Sequence, residues 1–146
     1  MKFIFFIFLL QIISVYSATG SYNACNEEFL MEISTLNAVP WPPHSGLSTV
    51  YYFKTNLNKN VTELHMNMQL QMRVGINQWE DIINENIDLC RGYIHCPINK
   101  GNHEIAFHHT IPSNSPVGNK WRGYVYFTNE KGVQIGCIEL ETFKVK

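Results

Sequence analysis

Apolar and polar residues alternate most regularly at residues 61–75, where the sequence reads VTELHMNMQLQMRVG. From position 64 to position 74 every even-numbered residue is apolar and every odd-numbered residue is polar or charged. Because side chains of a β-strand point to alternate faces, the pattern predicts a long strand with one buried face. Three of its six apolar residues are methionine, whose flexible side chain adapts to irregular space. The buried face is therefore either ordinary sandwich core or a wall that accommodates a variable apolar partner.

Shorter alternating runs predict further strands, which begin near residues 29, 47, 103, 121 and 133. The segment AVPWPPHSG, residues 38–46, contains three prolines and excludes a helix or a central strand. In the last run the buried positions change from Val133, Ile135 and Cys137 to Ile138 and Leu140. That change predicts a bulge or a bend near Cys137.

Residues 77–88, NQWEDIINENID, fit two secondary structures. Trp79 and the isoleucines have helical spacing, and Asn77 with Glu80 resembles a capping box. The segment is also short and isoleucine-rich, and it lies between a strand and a cysteine loop, which fits an extended edge strand equally well. Six or seven short strands without a clear long helix predict an all-β protein, an antiparallel β-sandwich.

The N-terminus has the features of a secretory signal peptide. Lys2 precedes an apolar run at residues 3–15, and small residues follow before Ala18. The run is shorter than the roughly 20 residues that span a membrane. We therefore expect residues 1–17 to be a signal peptide and residues 18–146 to form one domain outside the cytosol.

The charge of the remaining chain argues against nucleic acid as a partner. Of the eleven Lys and Arg, ten remain without Lys2, against twelve Asp and Glu, which gives a net charge of about −2 with no run of either sign. Nucleic-acid-binding proteins normally carry a basic patch or stripe. The acidic residues between 80 and 88 are interpreted as a solvated face.

The sequence also contains none of the common catalytic motifs. G-x-S-x-G, H-E-x-x-H and a phosphate-binding glycine loop are all missing. His108 and His109 are neighbours on a predicted strand, so they point to opposite faces and cannot chelate one metal ion together. We expect neither an enzyme nor a cofactor nor a metal site.

Four cysteines follow the signal peptide, and an even number in a secreted chain predicts two disulfides with three possible pairings. Cys90 and Cys96 bracket the short loop CRGYIHC and are the natural local pair; Cys25 and Cys137 would then join the first strand to the last. The alternative, a zinc site that includes His95 or His103, lacks the usual ligand spacing. Asn60 begins the glycosylation sequon Asn-Val-Thr, which predicts an exposed turn.

Several short motifs in order resemble the ML-domain lipid-recognition family. They are PWPPHSG, IDLC at residues 87–90, CPINKG at 96–101, TIP at 110–112 and GYVYFTNEKGVQIGCIEL at 123–140. Its members include the Niemann-Pick type C sterol carrier, the ganglioside activator and the phosphatidylglycerol/phosphatidylinositol transfer proteins. The first two motifs are most similar to the transfer-protein branch. The resemblance extends over residues 25–145 and implies the same disulfides, Cys25 with Cys137 and Cys90 with Cys96. A further cysteine pair of the sterol carrier is missing here.

The resemblance implies an immunoglobulin-like sandwich whose two sheets enclose a lipid. The expected function is a secreted or endolysosomal carrier, a monomer in transient contact with membranes, that transfers phosphatidylglycerol and phosphatidylinositol. Residues expected to line the cavity are the apolar inward positions of the predicted strands, Tyr51, Phe53, Leu64, Met66, Met68, Leu70, Met72, Ile105, Phe107, Val125 and Phe127. Residues expected to contact the membrane are large apolar side chains assigned to loops at the cavity mouth, Trp41, Trp79, Ile82 and Ile83.

Three alternatives remain open from the sequence. The chain could carry a sterol, it could present lipid to a hydrolase as an accessory protein, or it could be a solid sandwich that recognises a protein or a glycan on its outer face. No polar group that would select a lipid head group is identifiable from the sequence.

Overall fold

The computed structural model describes residues 22–25 and 29–146, and within them the chain forms eight β-strands. The predicted signal peptide lies outside these residues. The strands are β1 (Tyr22–Ala24), β2 (Met31–Val39), β3 (Ser48–Leu57), β4 (Leu64–Gly75), β5 (Gln78–Asp88), β6 (Gly101–Thr110), β7 (Lys120–Asn129) and β8 (Gln134–Lys144).

The strands form two antiparallel sheets, which confirms the predicted all-β sandwich. One sheet has five strands in the order β1-β8-β7-β4-β5, and the other has three in the order β2-β3-β6. β1 has only three residues and no alternating pattern, so the sequence does not predict it. The alternating runs themselves correspond to β2, β3, β4, β6, β7 and β8.

Residues 77–88, which the sequence left between helix and strand, form the edge strand β5. It pairs only with β4 in the five-stranded sheet. Leu70 pairs with Ile83 but Gln71 pairs with Asp81, so Ile82 is an extra residue at a bulge. This bulge places Ile83 inward and explains why the isoleucines do not follow a period of two.

A second bulge lies near Cys137, as predicted. Phe127 pairs with Gly136 whereas Thr128 pairs with Gln134, so Ile135 is the extra residue. The prediction that Val133 shares the buried face is wrong, because Val133 precedes β8 in the hairpin turn and is 53% exposed.

The two sheets pack closely against each other on one side of the sandwich. On the other side a contact between side chains joins them. β2 packs against β8, where the absence of a side chain at Gly136 allows Met31 to approach closely. The strands at the opposite edges of the two sheets are β5 and β6. We call this side the open edge. Across it, Nε2 of His109 on β6 lies 3.5 Å from Oε1 of Glu85 on β5.

Both predicted disulfides are present. Cys25 is bonded to Cys137, and Cys90 is bonded to Cys96 across a sequence separation of six. The zinc-site alternative is wrong because its cysteines are in these disulfides. The long-range bond attaches the segment after β1 to β8, where the backbone N–H of Cys25 also donates to the carbonyl oxygen of Cys137.

Candidate functional site

The predicted cavity residues come together on the facing surfaces of the two sheets. They lie on β3 and β6 of one sheet and on β4 and β7 of the other. Ten of the eleven are buried, and Met72 is half-buried. The end of the predicted β4 face differs, since Val74 is 50% exposed next to the β4–β5 turn. That these side chains line a lipid cavity stays a prediction.

Aromatic rings fill the middle of this interior. On the three-stranded sheet the ring of Phe107 stacks on Tyr51 at 5.0 Å and on Phe53 at 5.8 Å between centroids. Phe53 also meets Phe127 of the other sheet edge-on at 5.7 Å. Burial raises the pKa of the Tyr51 hydroxyl above its usual range because the ionised form loses its hydration.

The methionines face this aromatic layer from the five-stranded sheet. Met66 pairs with Phe127 of β7, and Met68 pairs with Val125. On its other side Met68 pairs with Glu85 of β5, so it lies one strand away from the open edge. Met66 and Met68 are almost completely buried. Their flexible side chains can change conformation more readily than β-branched residues can.

Two buried polar side chains lie next to each other near the open edge, one on the edge strand β6 and one on the adjacent β3, and sequence reasoning missed both of them as site residues. Thr49 of β3 and His109 of β6 are directly paired across the sheet. Thr49 has no exposed surface, and the His109 side chain is 8% exposed. Neither Thr49 Oγ1 nor His109 Nδ1 has a hydrogen-bond partner among the described residues. Buried polar atoms are nearly always paired, so two such atoms beside each other require an explanation.

The four residues predicted to contact a membrane do not form one surface. Trp41 is half-buried, with its ring 5.0 Å from that of Phe143. The other three lie in β5 rather than in loops. Trp79 has the guanidinium carbon of Arg122 4.4 Å above its ring, Ile82 is 37% exposed at the bulge, and Ile83 is buried.

Four exposed apolar side chains lie instead at one end of the sandwich. They are Leu47, Val74, Ile76 and Val117, and each is at least half exposed. Leu47 precedes β3, Val117 lies in the loop between β6 and β7, and Val74 and Ile76 flank the tip of the β4–β5 hairpin. Strand register puts these segments at the same end of the two sheets. We call this group the apolar tip.

A surface depression of about 570 Å³ lies on the other side of the three-stranded sheet. The outward residues Tyr52, Lys54 and Glu104 line it, and Tyr93 of the Cys90–Cys96 loop forms one wall. The sheet separates this depression from the interior, so it is not part of the candidate site. Asn60 lies in the exposed turn predicted for it, at the end of the sandwich opposite the apolar tip, and its glycosylation stays a prediction.

Within the described part of the chain, no three His, Cys, Asp or Glu side chains are grouped as a metal site. The same residues include no helix with the length and hydrophobicity needed to cross a membrane.

The fold and the site together define an all-β sandwich with an apolar, methionine-containing interior. A family model described as ML domain matches residues 19–143 of this chain. The chain therefore belongs to the ML-domain family. Membership of this family supports a lipid-binding protein that is not an enzyme.

Two solved structures have the same fold. A Niemann-Pick type C2 protein from Japanese carpenter ant has a TM-score of 0.67 at 14% identity, covering 86% of this chain and 99% of its own. Chicken MD-1, complexed with lipid IVa, has a TM-score of 0.55 at 17% identity, covering 84% of this chain and 87% of its own. No curated protein matches the chain in sequence.

Proposed function

We propose that this protein is a secreted or lumenal lipid carrier that transfers phospholipids, phosphatidylglycerol and phosphatidylinositol, between membranes. The observation that carries the proposal is the continuous apolar surface formed by the inward residues of β3, β4, β6 and β7. Enclosing an acyl chain in such a surface removes it from water, at roughly 0.8 kcal/mol per methylene. Transfer then needs no chemical reaction, only uptake at one membrane and release at another.

Uptake requires the interior to make room, because its side chains pack against one another. The methionines support this requirement, since Met66 and Met68 can change rotamers at low cost and lie near the open edge. We infer that acyl chains enter between β5 and β6, beside the contact between His109 and Glu85.

The apolar tip supports transient contact with a membrane. Isolated exposed apolar residues are common, but four grouped at one end suggest a contact surface. Lys120 and Lys144 are paired with each other at this same end, and Lys146 follows at the C-terminus. Cations beside an apolar tip favour anionic lipid surfaces. We therefore propose Ile76 and the other residues of the apolar tip as the membrane contact.

Two disulfides fit an oxidising compartment, which supports the proposed secreted or endolysosomal location. The sterol carrier and the lipid-presenting accessory to a hydrolase are the two alternatives that the experiment has to distinguish from phospholipid transfer.

The test is to express the secreted protein, extract it with organic solvent and identify the bound molecules by mass spectrometry. Transfer of labelled phosphatidylinositol between vesicles is measured in parallel. We expect phospholipid in the extract and transfer that increases with protein concentration. Recovery of sterol alone would favour the sterol carrier, and lipid binding with a stimulated hydrolase but no transfer would favour the accessory role. A protein that yields no lipid and moves none contradicts the proposal.

A matched pair of substitutions connects the activity to the interior. Met68→Glu buries a carboxylate against apolar side chains and should abolish lipid uptake, whereas Met68→Leu keeps an apolar residue of similar volume and should retain it. Circular dichroism must show that Met68→Glu remains folded. If folded Met68→Glu transfers lipid like the unsubstituted protein, the acyl chains do not lie against β4.

A further inference from the structure

The buried polar side chains of Thr49 and His109 lie near the open edge, across which the half-exposed Glu85 faces His109. Thr49 and His109 are adjacent on the inner face of the three-stranded sheet, and His109 approaches Glu85 of the other sheet. Deeper residues on the same two strands, Tyr51 and Phe107, begin the aromatic layer. Buried Ile111 lies beyond them, so the polar groups border the apolar surface only on the side of the open edge, where the Glu85 side chain is 48% exposed.

Thr49 and His109 also lie toward the apolar-tip end of their strands. Thr49 is two residues from Leu47 of the apolar tip, and His109 is the second-last residue of β6, whose end meets the start of β3. A lipid held with its acyl chains against Met66 and Met68 would have its polar part near this boundary. The polar groups are therefore near the end of the sandwich that carries the apolar tip.

The chemistry of the three side chains favours hydroxyl groups as ligands. The Glu85 carboxylate accepts hydrogen bonds only, and the His109 tautomer that carries its hydrogen on Nε2, the atom near Glu85, leaves Nδ1 as an acceptor. Thr49 Oγ1 can donate one hydrogen bond and accept others. A phosphate diester offers only acceptors and a negative charge, so it suits neither Nδ1 nor Glu85. A hydroxyl can donate to either acceptor, and a head group with several hydroxyls can donate to both.

We propose that Thr49, His109 and Glu85 form a polar anchor that binds a hydroxyl-bearing lipid head group and so determines which lipids the carrier accepts. The anchor rests on the proposed lipid-carrier function and specifies its ligand class: inositol and glycerol head groups are bound, and choline, which has no hydrogen-bond donor, is not. The unpaired Thr49 Oγ1 and His109 Nδ1 acquire their hydrogen bonds from the ligand.

The test compares lipids that share acyl chains but differ in head group. Vesicles of phosphatidylcholine carry an equal small fraction of labelled phosphatidylinositol, phosphatidylglycerol, phosphatidylethanolamine or phosphatidylcholine, and the amount extracted by the full secreted protein is measured. Anchored head groups should be extracted about tenfold better than phosphatidylcholine, the gain expected for one or two hydrogen bonds.

Thr49→Val removes the hydroxyl with little change of shape and should reduce this preference several-fold, whereas Thr55→Val should leave it unchanged. Thr55→Val is the matched control. Thr55 is on the same face of the same strand, buried, and also has an unpaired Oγ1, but it lies toward the opposite end of β3. His109→Phe and Glu85→Gln should act like Thr49→Val, and unfolding in urea shows whether each variant is folded.

Three results would overturn the anchor while leaving the carrier function intact. They are equal extraction of all four lipids, a preference that Thr49→Val and Thr55→Val change equally, and a preference for phosphatidylethanolamine, which would indicate a cation bound by Glu85. If no lipid is extracted at all, the carrier function and the anchor are both wrong.

Discussion

Gly123 on β7 has no space for a side chain, because Leu70 and Gln69 of β4 lie against it. A Cβ at this position would overlap Cδ2 of Leu70 and lie 2.7 Å from the carbonyl oxygen of Gln69. The backbone of β4 cannot move without disturbing its ladder with β5 and β7. We expect Gly123→Ala to lower the free energy of unfolding by about 1 to 3 kcal/mol, measured from urea midpoints at constant slope.

Gly75→Ala is the control for this substitution. A Cβ there would come within 2.9 Å of Oε1 of Gln78, which is the end of a flexible side chain at the start of β5. The side chain can rotate away, so the loss of stability should be small. Equal losses for the two variants would mean that the contact with Leu70 and Gln69 is relieved by movement of the strand.

Tyr51 should make the protein sensitive to alkaline pH. Its pKa is raised by burial in the folded state, so above about pH 10 the unfolded chain loses a proton that the folded protein keeps. The free energy of unfolding therefore falls as pH rises through this range. Tyr51→Phe should show a shallower fall in urea titrations between about pH 8 and pH 11, and Tyr52→Phe makes the same chemical change on the outer face. Parallel curves for the unsubstituted protein and Tyr51→Phe would contradict the expectation.

Alternation predicted most residue positions because burial on one face of a strand is a local property. It identified Met66, Met68, Phe107 and Phe127 as inward residues. It could not identify Thr49 and His109 as a pair, because their proximity depends on which strands are neighbours. Thr49 follows the inward alternation like a core residue, and its unpaired hydroxyl is visible only in three dimensions.

Among the long strands, β5 is the one that the period of apolar residues does not predict. Ile82 and Ile83 are adjacent in sequence yet face different ways because of the bulge at Ile82. The spacing of Trp79 and the isoleucines also fits a helix. The pairing of this segment with β4 is what makes it a strand. Trp79, Ile82 and Ile83 are predicted in loops but lie in β5, because the bulge hides the alternation of the strand.

We expect the turn of the β4–β5 hairpin to bind membranes. Ile76 is 87% exposed at its turn and contributes little to the core, so Ile76→Asp should leave the urea midpoint nearly unchanged. The substitution places a charge where the apolar tip meets lipid, and we expect the rate of phosphatidylinositol transfer to anionic vesicles to fall several-fold. Sedimentation with vesicles measures the loss of binding directly.

Val133→Asp is the matched control for the hairpin. Val133 is 53% exposed in the β7–β8 turn at the other end of the sandwich, and its substitution makes the same chemical change. Transfer should be unaffected. An equal reduction of transfer by both variants would indicate a general effect of negative charge on association with anionic lipid. If neither variant reduces transfer, the apolar tip is not the membrane contact.

The arrangement of the whole molecule was predictable only in outline. The number of alternating runs predicted a sandwich, and the cysteine spacing predicted both disulfides. The division into five and three strands, the close contact of β2 with β8 and the open edge depend on long-range pairing, which the sequence pattern does not specify. The apolar tip also depends on this pairing, since its residues come from three separate segments.

A carrier of this construction should be stabilised by its cargo. Lipid that binds the folded protein but not the unfolded chain adds RT ln(1 + [L]/Kd), about 2.7 kcal/mol at a hundredfold excess over Kd. We expect the delipidated protein to melt several degrees lower than the protein reloaded with phosphatidylinositol. The stabilisation should be retained by Met68→Leu and lost by Met68→Glu, because the carboxylate prevents acyl chains from occupying the space beside β4. If reloading leaves the melting temperature of the unsubstituted protein unchanged, lipid does not occupy the interior, and the methionines of β4 are ordinary core residues.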